Sequence, residues 1–173
     1  MADKLSPVAP EDWDLSLDAI KTDLGTPLNI HNVFARHPDL FRAWMPFRNH
    51  VVRASSLTGR QRELLILRNA HNTKAQYEWD HHVVRGRDAG LTDEEITRVR
   101  QGPSAKDWTH DEALLLTAAD EMRADQRFAH ETWQALCDRF DSRQILDIVV
   151  TVGMYMLLST IVNTGQVPME DGL

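Results

Sequence analysis

The chain has 173 residues and a net charge of −7, with 26 acidic against 19 basic side chains. A chain of that length folds as one domain and buries about 70% of its unfolded surface, so it needs no disulfide. Its single cysteine, Cys137, permits none within the chain and fits a reducing, cytoplasmic setting. The acidity, and the lack of a basic block interleaved with aromatics, exclude nucleic acid as a partner and disfavour anionic membrane surfaces.

The N-terminal stretch "MADKLSPVAPEDWD" has no apolar core of the secretory kind. Pro7, Pro10 and Pro27 punctuate residues 1–27, which read as an irregular arm with one short helix near residues 13–21. "LNIHNVFARHP" and "DLFRAWMPFRNHVVRASSL" read as two helices with a break at His37-Pro38, the second kinked or interrupted at Pro46. Three capping boxes follow: Thr58-x-x-Gln61, Thr92-x-x-Glu95 and Thr109-x-x-Glu112. In each, the Thr oxygen can accept a free helix N–H while the third residue's side chain reaches back. A helix starting near Ala75 closes on Gly90, and Gly102-Pro103 breaks the chain after the Thr92 helix. "ETWQALCDRFD" and "SRQILDIVVTVGMYMLLSTIVNTG" complete the set, the last ended by Gly165. Strand alternation and hairpin turns are missing. The expected fold is all-α: a single-domain helical bundle over residues 28–165, with roughly seven to nine helices in the chain and a tail at 166–173.

The segment "ILDIVVTVGMYMLLSTIV" is just long enough to span a membrane, about 18 residues being the usual threshold. Asp147 sits inside it with Thr151, Ser159 and Thr160, and an acid within a bilayer is costly, so no membrane is expected. A helix apolar nearly all round must be covered on every side. That points to the bundle centre or a subunit interface, and a homo-oligomer is expected.

The densest functional signal is Tyr77 to His82, which sets a Tyr, a Glu, a Trp and two His in six positions. Stepping about 100° per residue puts Ala75, Glu78, His82, Arg85 and Ala89 on one face. Trp79 and Val83 form the adjacent apolar strip, and Tyr77 and His81 the other flank. On the preceding helix Glu63 shares a stripe with Ile66, Leu67 and Ala70, away from Arg60 and Arg62. A carboxylate there has a raised pKa unless it is paired. Its natural partner is His82 or His81, on a helix packed antiparallel after a turn around His71-Asn72-Thr73. A Glu that orients a His makes a general base near neutral pH.

The spacing Glu63-x11-Ala75-x2-Glu78-x3-His82, with Tyr77-Glu78-Trp79-x-x-His82 inside it, resembles the core of the carboxymuconolactone decarboxylase and alkylhydroperoxidase D superfamily. The resemblance is sharp over residues 57–100. It implies an all-α fold in obligate oligomers, often trimers or hexamers. In the peroxidase branch two cysteines stand where this chain has Ala75 and Glu78. Peroxide reduction there needs a thiolate and a resolving thiol, and neither is present. Cys137 does not stand in, because Trp133, Leu136, Cys137 and Phe140 share an apolar stripe, the mark of an inert core thiol.

What the resemblance leaves is acid–base chemistry on a small carboxylated lactone or keto acid. His82 is the expected general acid or base, oriented by Glu63, with Tyr77 or His81 stabilising a developing oxyanion. Glu78 is a second acid–base group or a partner for Arg85. Arg85 is a candidate for holding a substrate carboxylate, and Trp44, Met45 and Trp79 for lining a cavity around a ring-shaped substrate. The expected activity is a lyase or isomerase with no organic cofactor. Glu63, His71, Glu78, His81 and His82 offer ligand types without convergent spacing, so no metal is expected. His31, His37, His50, His110 and His130 read as surface or packing residues. The alternatives are a non-catalytic oligomeric binding protein that lost the thiols, and a hydroperoxidase using Cys137.

Overall fold

A computed structural model describes residues 4–170. Among them are nine α-helices and no strand: α1 Asp18–Leu24, α2 Asn29–Phe34, α3 Pro38–Asn49, α4 Gly59–Thr73, α5 Gln76–Asp88, α6 Asp93–Val99, α7 His110–Asp125, α8 His130–Arg139 and α9 Ser142–Gly165. The all-α reading holds. All three expected capping boxes form, and a fourth, Asp141 with Gln144, opens α9.

Helix α4 packs on α5, α7 and α9. Its apolar residues divide among three core clusters: Ile66 joins the arm, α2, α3 and α9; Leu65 joins α7, α8 and α9; Leu64 and Leu67 join α5 and α6. This radial division leaves α4 no solvent face along its middle, and so Glu63 is buried among leucines. The long helix α9 is enclosed less fully than its composition suggests. It is the one described helix long and apolar enough to cross a membrane, it packs on α4, α7 and α8, and it leaves Leu146 and Leu157 exposed.

Two local expectations need correction. Pro46 does not interrupt α3, which runs through it to Asn49 and passes into a π-helical turn at His50–Ala54. The irregularity is displaced to the next turn, where the hydrogen-bonding frame widens. His71-Asn72-Thr73 is the last turn of α4, and the chain reverses at Lys74, which takes the left-handed conformation. As expected, α9 ends at Gly165, and Gln166 beyond it takes the left-handed conformation. A Cβ at Gly165 would stand 2.8 Å from the Leu5 Cβ, so the close approach of the arm admits only glycine there.

Asp147, the acid in the apolar helix, fastens the loop that leads into α4. Its carboxylate accepts from the Ser56 N–H at 2.6 Å and the Ser56 hydroxyl at 2.7 Å, and pairs with His50 at 2.7 Å. Burial pushes its pKa up, but the Ser56 and His50 contacts outweigh that and hold it below the usual carboxylate value. Asp147→Ala orphans the Ser56 N–H, and the expected loss of stability is about 1–3 kcal/mol, read as a lower urea midpoint at unchanged slope.

Candidate functional site

Helices α4 and α5 lie side by side, with residues of α2, α3 and α9 closing over them. The space between is one cavity, lined by Glu63, Glu78, His82 and Arg85 together with His31, Trp44, Arg48, Arg62 and Tyr155, among others. The one-face grouping of Glu78, His82, Arg85 and Ala89 on α5 is realised, since all four line it.

Glu63 and His82 meet. His82 is 1% exposed, and its Nδ1 is 2.6 Å from Glu63 Oε2. Its other nitrogen, Nε2, is 2.9 Å from Arg85 Nη1. A guanidinium can only donate, so Nε2 accepts and the ring hydrogen lies on Nδ1, donated to Glu63. Burial lowers the His82 pKa, Glu63 opposes this, and Arg85 and His81 add to it; the net shift is down. The ring is a neutral imidazole with its lone pair on the cavity side, packed edge-on against Tyr155 at 4.9 Å.

Glu78 is 4% exposed and, among the described residues, forms no hydrogen bond; its Oε2 lies 3.8 Å from His82 Nε2. Burial raises its pKa to about 7, Arg85 opposes the rise and Glu170 adds to it. The usual order of the two residue types is thereby inverted, and at neutral pH a proton shared by this pair rests on the carboxyl and not on the imidazole.

The cavity is also rich in uncommitted donors. Among the described residues, Arg48, Arg62 and Arg85 pair with no carboxylate, although Arg60 and Arg68 nearby on α4 do. The indole N–H of Trp44 is buried without an acceptor. Tyr155 has its phenol pKa raised by burial first and by Glu78 second, so it remains an O–H donor. Against these stand Glu63, already taken by His82, the half-protonated Glu78, and Asp88 at an exposed position. Three guanidiniums facing one cavity without a protein counter-ion make a site for an anionic small molecule.

Other predicted residues lie elsewhere or are occupied. Tyr77 and His81 line the cavity, but their polar ends are committed. The Tyr77 hydroxyl accepts from the Ile30 N–H at 3.2 Å and donates to Glu170 at 2.6 Å. His81 donates from Nδ1 to the Tyr77 carbonyl at 2.8 Å, and its Nε2 lies 2.7 Å from Glu170 Oε2 without hydrogen-bond angles. Tyr77 is thus tied to the C-terminal segment and is not a free oxyanion donor. Trp79 is outside the cavity. The strip it shares with Val83 faces the α4–α6 core, and the Arg100 guanidinium covers its ring at 4.1 Å. Met45 is packed into the core and does not line the cavity either. Cys137 is exposed on α8 and does not line the cavity, contrary to the core position expected of it.

The sequence reading missed His31, Arg48, Arg62 and Tyr155. Three of the four lie on helices far in sequence from the motif, and only packing brings them to it. Arg62 was grouped with Arg60 on the charged side of α4. It lies one position before Glu63, at the border between that side and the buried stripe.

The carboxymuconolactone decarboxylase family model matches residues 38–120, the span that holds Glu63, Glu78, His82 and Arg85. No curated protein sequence matches the chain. Among solved structures, the chain is similar to an Agrobacterium tumefaciens protein of unknown function described as an AhpD antioxidant defence protein, at 24% identity and a TM-score of 0.72, over 80% of this chain and 97% of that one. It is similar to an AhpD-core, peroxidase-related protein of Ralstonia eutropha at 18% identity and a TM-score of 0.77, over 96% and 93%. It is also similar to the debrominase Bmp8 in complex with 2,3,4-tribromopyrrole, at 12% identity and a TM-score of 0.80, over 96% and 91%. These identities establish a shared fold. The family match across the Glu–His core and this shared fold support a kinship with the carboxymuconolactone decarboxylase and AhpD-like superfamily.

Proposed function

We propose that this protein is a lyase or isomerase that moves protons beside the carbonyl of a small carboxylated γ-lactone or keto acid, using its own side chains as acid and base. The observation that carries the reading is the Glu78–His82 pair: a buried carboxyl with a pKa of about 7 and, among the described residues, no hydrogen bond, 3.8 Å from Nε2 of a neutral imidazole. One group can give a proton at neutral pH while its neighbour can take one. Glu63, bonded to Nδ1, holds the imidazole in the tautomer that keeps Nε2 free to act as base. Arg85 is the exposed member of the set and bonds Nε2; a substrate carboxylate draws it away and uncovers the base.

In the decarboxylating case the bond from the ring carbon to the carboxylate breaks and CO2 departs. The electron pair passes to the lactone or keto carbonyl, giving an enolate. The Glu78 carboxyl then protonates carbon, and the carboxylate left behind recovers a proton from solvent through His82. In the isomerising case His82 Nε2 removes a carbon-bound proton and Glu78 delivers one at the conjugated carbon. Both balance without an external oxidant or reductant. The thiol-dependent reading has nothing to recommend it: Ala75 and Glu78 stand at the dithiol positions, and Cys137 is exposed and does not line the cavity.

The test is proton NMR in D2O with γ-lactone carboxylates and β-keto acids, following deuterium uptake at carbon and loss of CO2. The expected result is turnover or exchange that is unchanged in Cys137→Ser. Peroxide consumption that disappears in Cys137→Ser, with no exchange on any lactone or keto acid, would sink the proposal.

A further inference from the structure

His31 is a polar group in the cavity to which the acid–base pair assigns no task. It is the third residue of α2, 5% exposed, and its ring stacks on Phe41 at 6.3 Å with planes 10° apart. Its Nδ1 accepts the Leu28 N–H at 3.0 Å, closing the cap of α2. A backbone N–H donates only to an unprotonated nitrogen, so the neutral ring carries its hydrogen on Nε2. Among the described residues no protein acceptor takes that hydrogen. Burial first, then the charges of Arg48, Arg85 and His81, hold the ring pKa down at about 3. Among the described residues no carboxylate offsets these charges, so a second proton would place a buried cation among cations. His31 therefore stays neutral and points one hydrogen in a direction fixed by the helix cap and by Phe41.

We propose that His31 is a catalytic residue whose Nε2–H donates a hydrogen bond to the oxygen on which negative charge develops, the enolate oxygen of the bound lactone or keto acid. The assignment rests on the proton chemistry proposed for the same cavity and supplies the electrophilic half that Tyr77 cannot. A neutral imidazole suits the task because its N–H is too weak an acid to surrender the proton, so the oxyanion is held without being quenched. Preorganisation is built in, since the cap hydrogen bond sets the tautomer and the stack sets the ring plane before substrate arrives.

Two measurements on the full chain test this separately from turnover. The first is long-range proton–nitrogen NMR of histidine-labelled protein between about pH 4.5 and 8. One imidazole, assigned by its loss in His31→Gln, should keep Nδ1 unprotonated and Nε2 protonated throughout. Titration near the ordinary histidine value of about 6.5, or the opposite tautomer, would overturn the proposal. The second compares binding of tetronate, the stable enolate of a β-keto-γ-lactone, with that of neutral γ-butyrolactone. His31→Phe keeps an aromatic ring on Phe41 but lacks the donor. It should bind tetronate about 10- to 100-fold more weakly with γ-butyrolactone unaffected, and His31→Gln should recover part of the loss. Equal tetronate affinity in wild type and His31→Phe, or no tetronate binding by wild type, overturns it. If a lactone turns over normally in wild type while His31→Phe binds tetronate as wild type does, the acid–base reading stands and only this inference falls.

Discussion

His82→Ala should lower deuterium exchange at carbon by about 10²- to 10⁴-fold, the usual contribution of a positioned general base. The substitution removes the nitrogen whose lone pair faces the cavity, and no neighbour replaces it. His81 is bonded through Nδ1 to the Tyr77 carbonyl and lies against Glu170 through Nε2. Glu63→Gln should act more mildly, by about 10- to 10³-fold, because it keeps the base but weakens its tautomer. The amide can still accept from Nδ1 through its oxygen. With the amide turned round, its NH2 group competes for Nδ1 and shifts the hydrogen to Nε2, where it meets Arg85. Rates measured by proton NMR in D2O should rank wild type above Glu63→Gln above His82→Ala. Arg85 lowers the His82 pKa, so Arg85→Ala should shift the acidic limb of the pH profile, which the base sets, to higher pH while weakening carboxylate binding. Equal exchange in wild type and His82→Ala would place the chemistry elsewhere.

The 19-residue separation of Glu63 and His82 was legible because each helix carried its own local sign. Glu63 interrupts an apolar stripe, and Glu78 and His82 share a face one turn apart, so an antiparallel pairing of the two helices had one sensible register. Capping boxes marked the helix starts because they are local hydrogen-bond patterns, independent of tertiary context. The donor wall was not legible, because it depends on packing at a distance. Tyr155 sits in a helix whose composition reads as core, and only the approach of α9 to α4 brings its ring against His82. His31 did leave a trace: Leu28-x-x-His31 places an imidazole at the capping-box position of a short helix, where its Nδ1 is used and its tautomer therefore set. Trp79 and Cys137 show the opposite failure. Apolar periodicity identified their faces but not the neighbour each face meets: Trp79 meets α6 and Arg100, and Cys137 meets solvent on a short outer helix where only Leu136 and Phe140 of the stripe turn inward.

Glu78→Gln should make the protein more stable than wild type in alkaline buffer and leave it unchanged in acid. The carboxyl has a model value of 4.5 and is raised to about 7 in the fold. Below pH 4.5 both the native and the unfolded chain hold this proton, and Glu78 contributes no pH dependence. Between the two values the unfolded chain has released it and the native state has not. The native state then binds more protons, and stability falls as pH rises, by about 1.4 kcal/mol per pH unit. Above pH 7 both states are ionised and the full penalty, about 3 kcal/mol, remains. The amide of Glu78→Gln has the shape of the protonated acid and cannot ionise, so its stability curve lacks this fall. Urea unfolding across the range, taken as the difference between the two proteins, cancels every other titrating group. A difference that opens between about pH 5 and 7 and then stays level is the expected result. Parallel curves would mean that Glu78 ionises in the fold as it does unfolded, and the site would then have no acid at neutral pH. The same unrelieved burial that weakens the fold is what keeps a proton on a carboxyl beside an imidazole, so a variant that gains stability here should lose proton delivery to carbon.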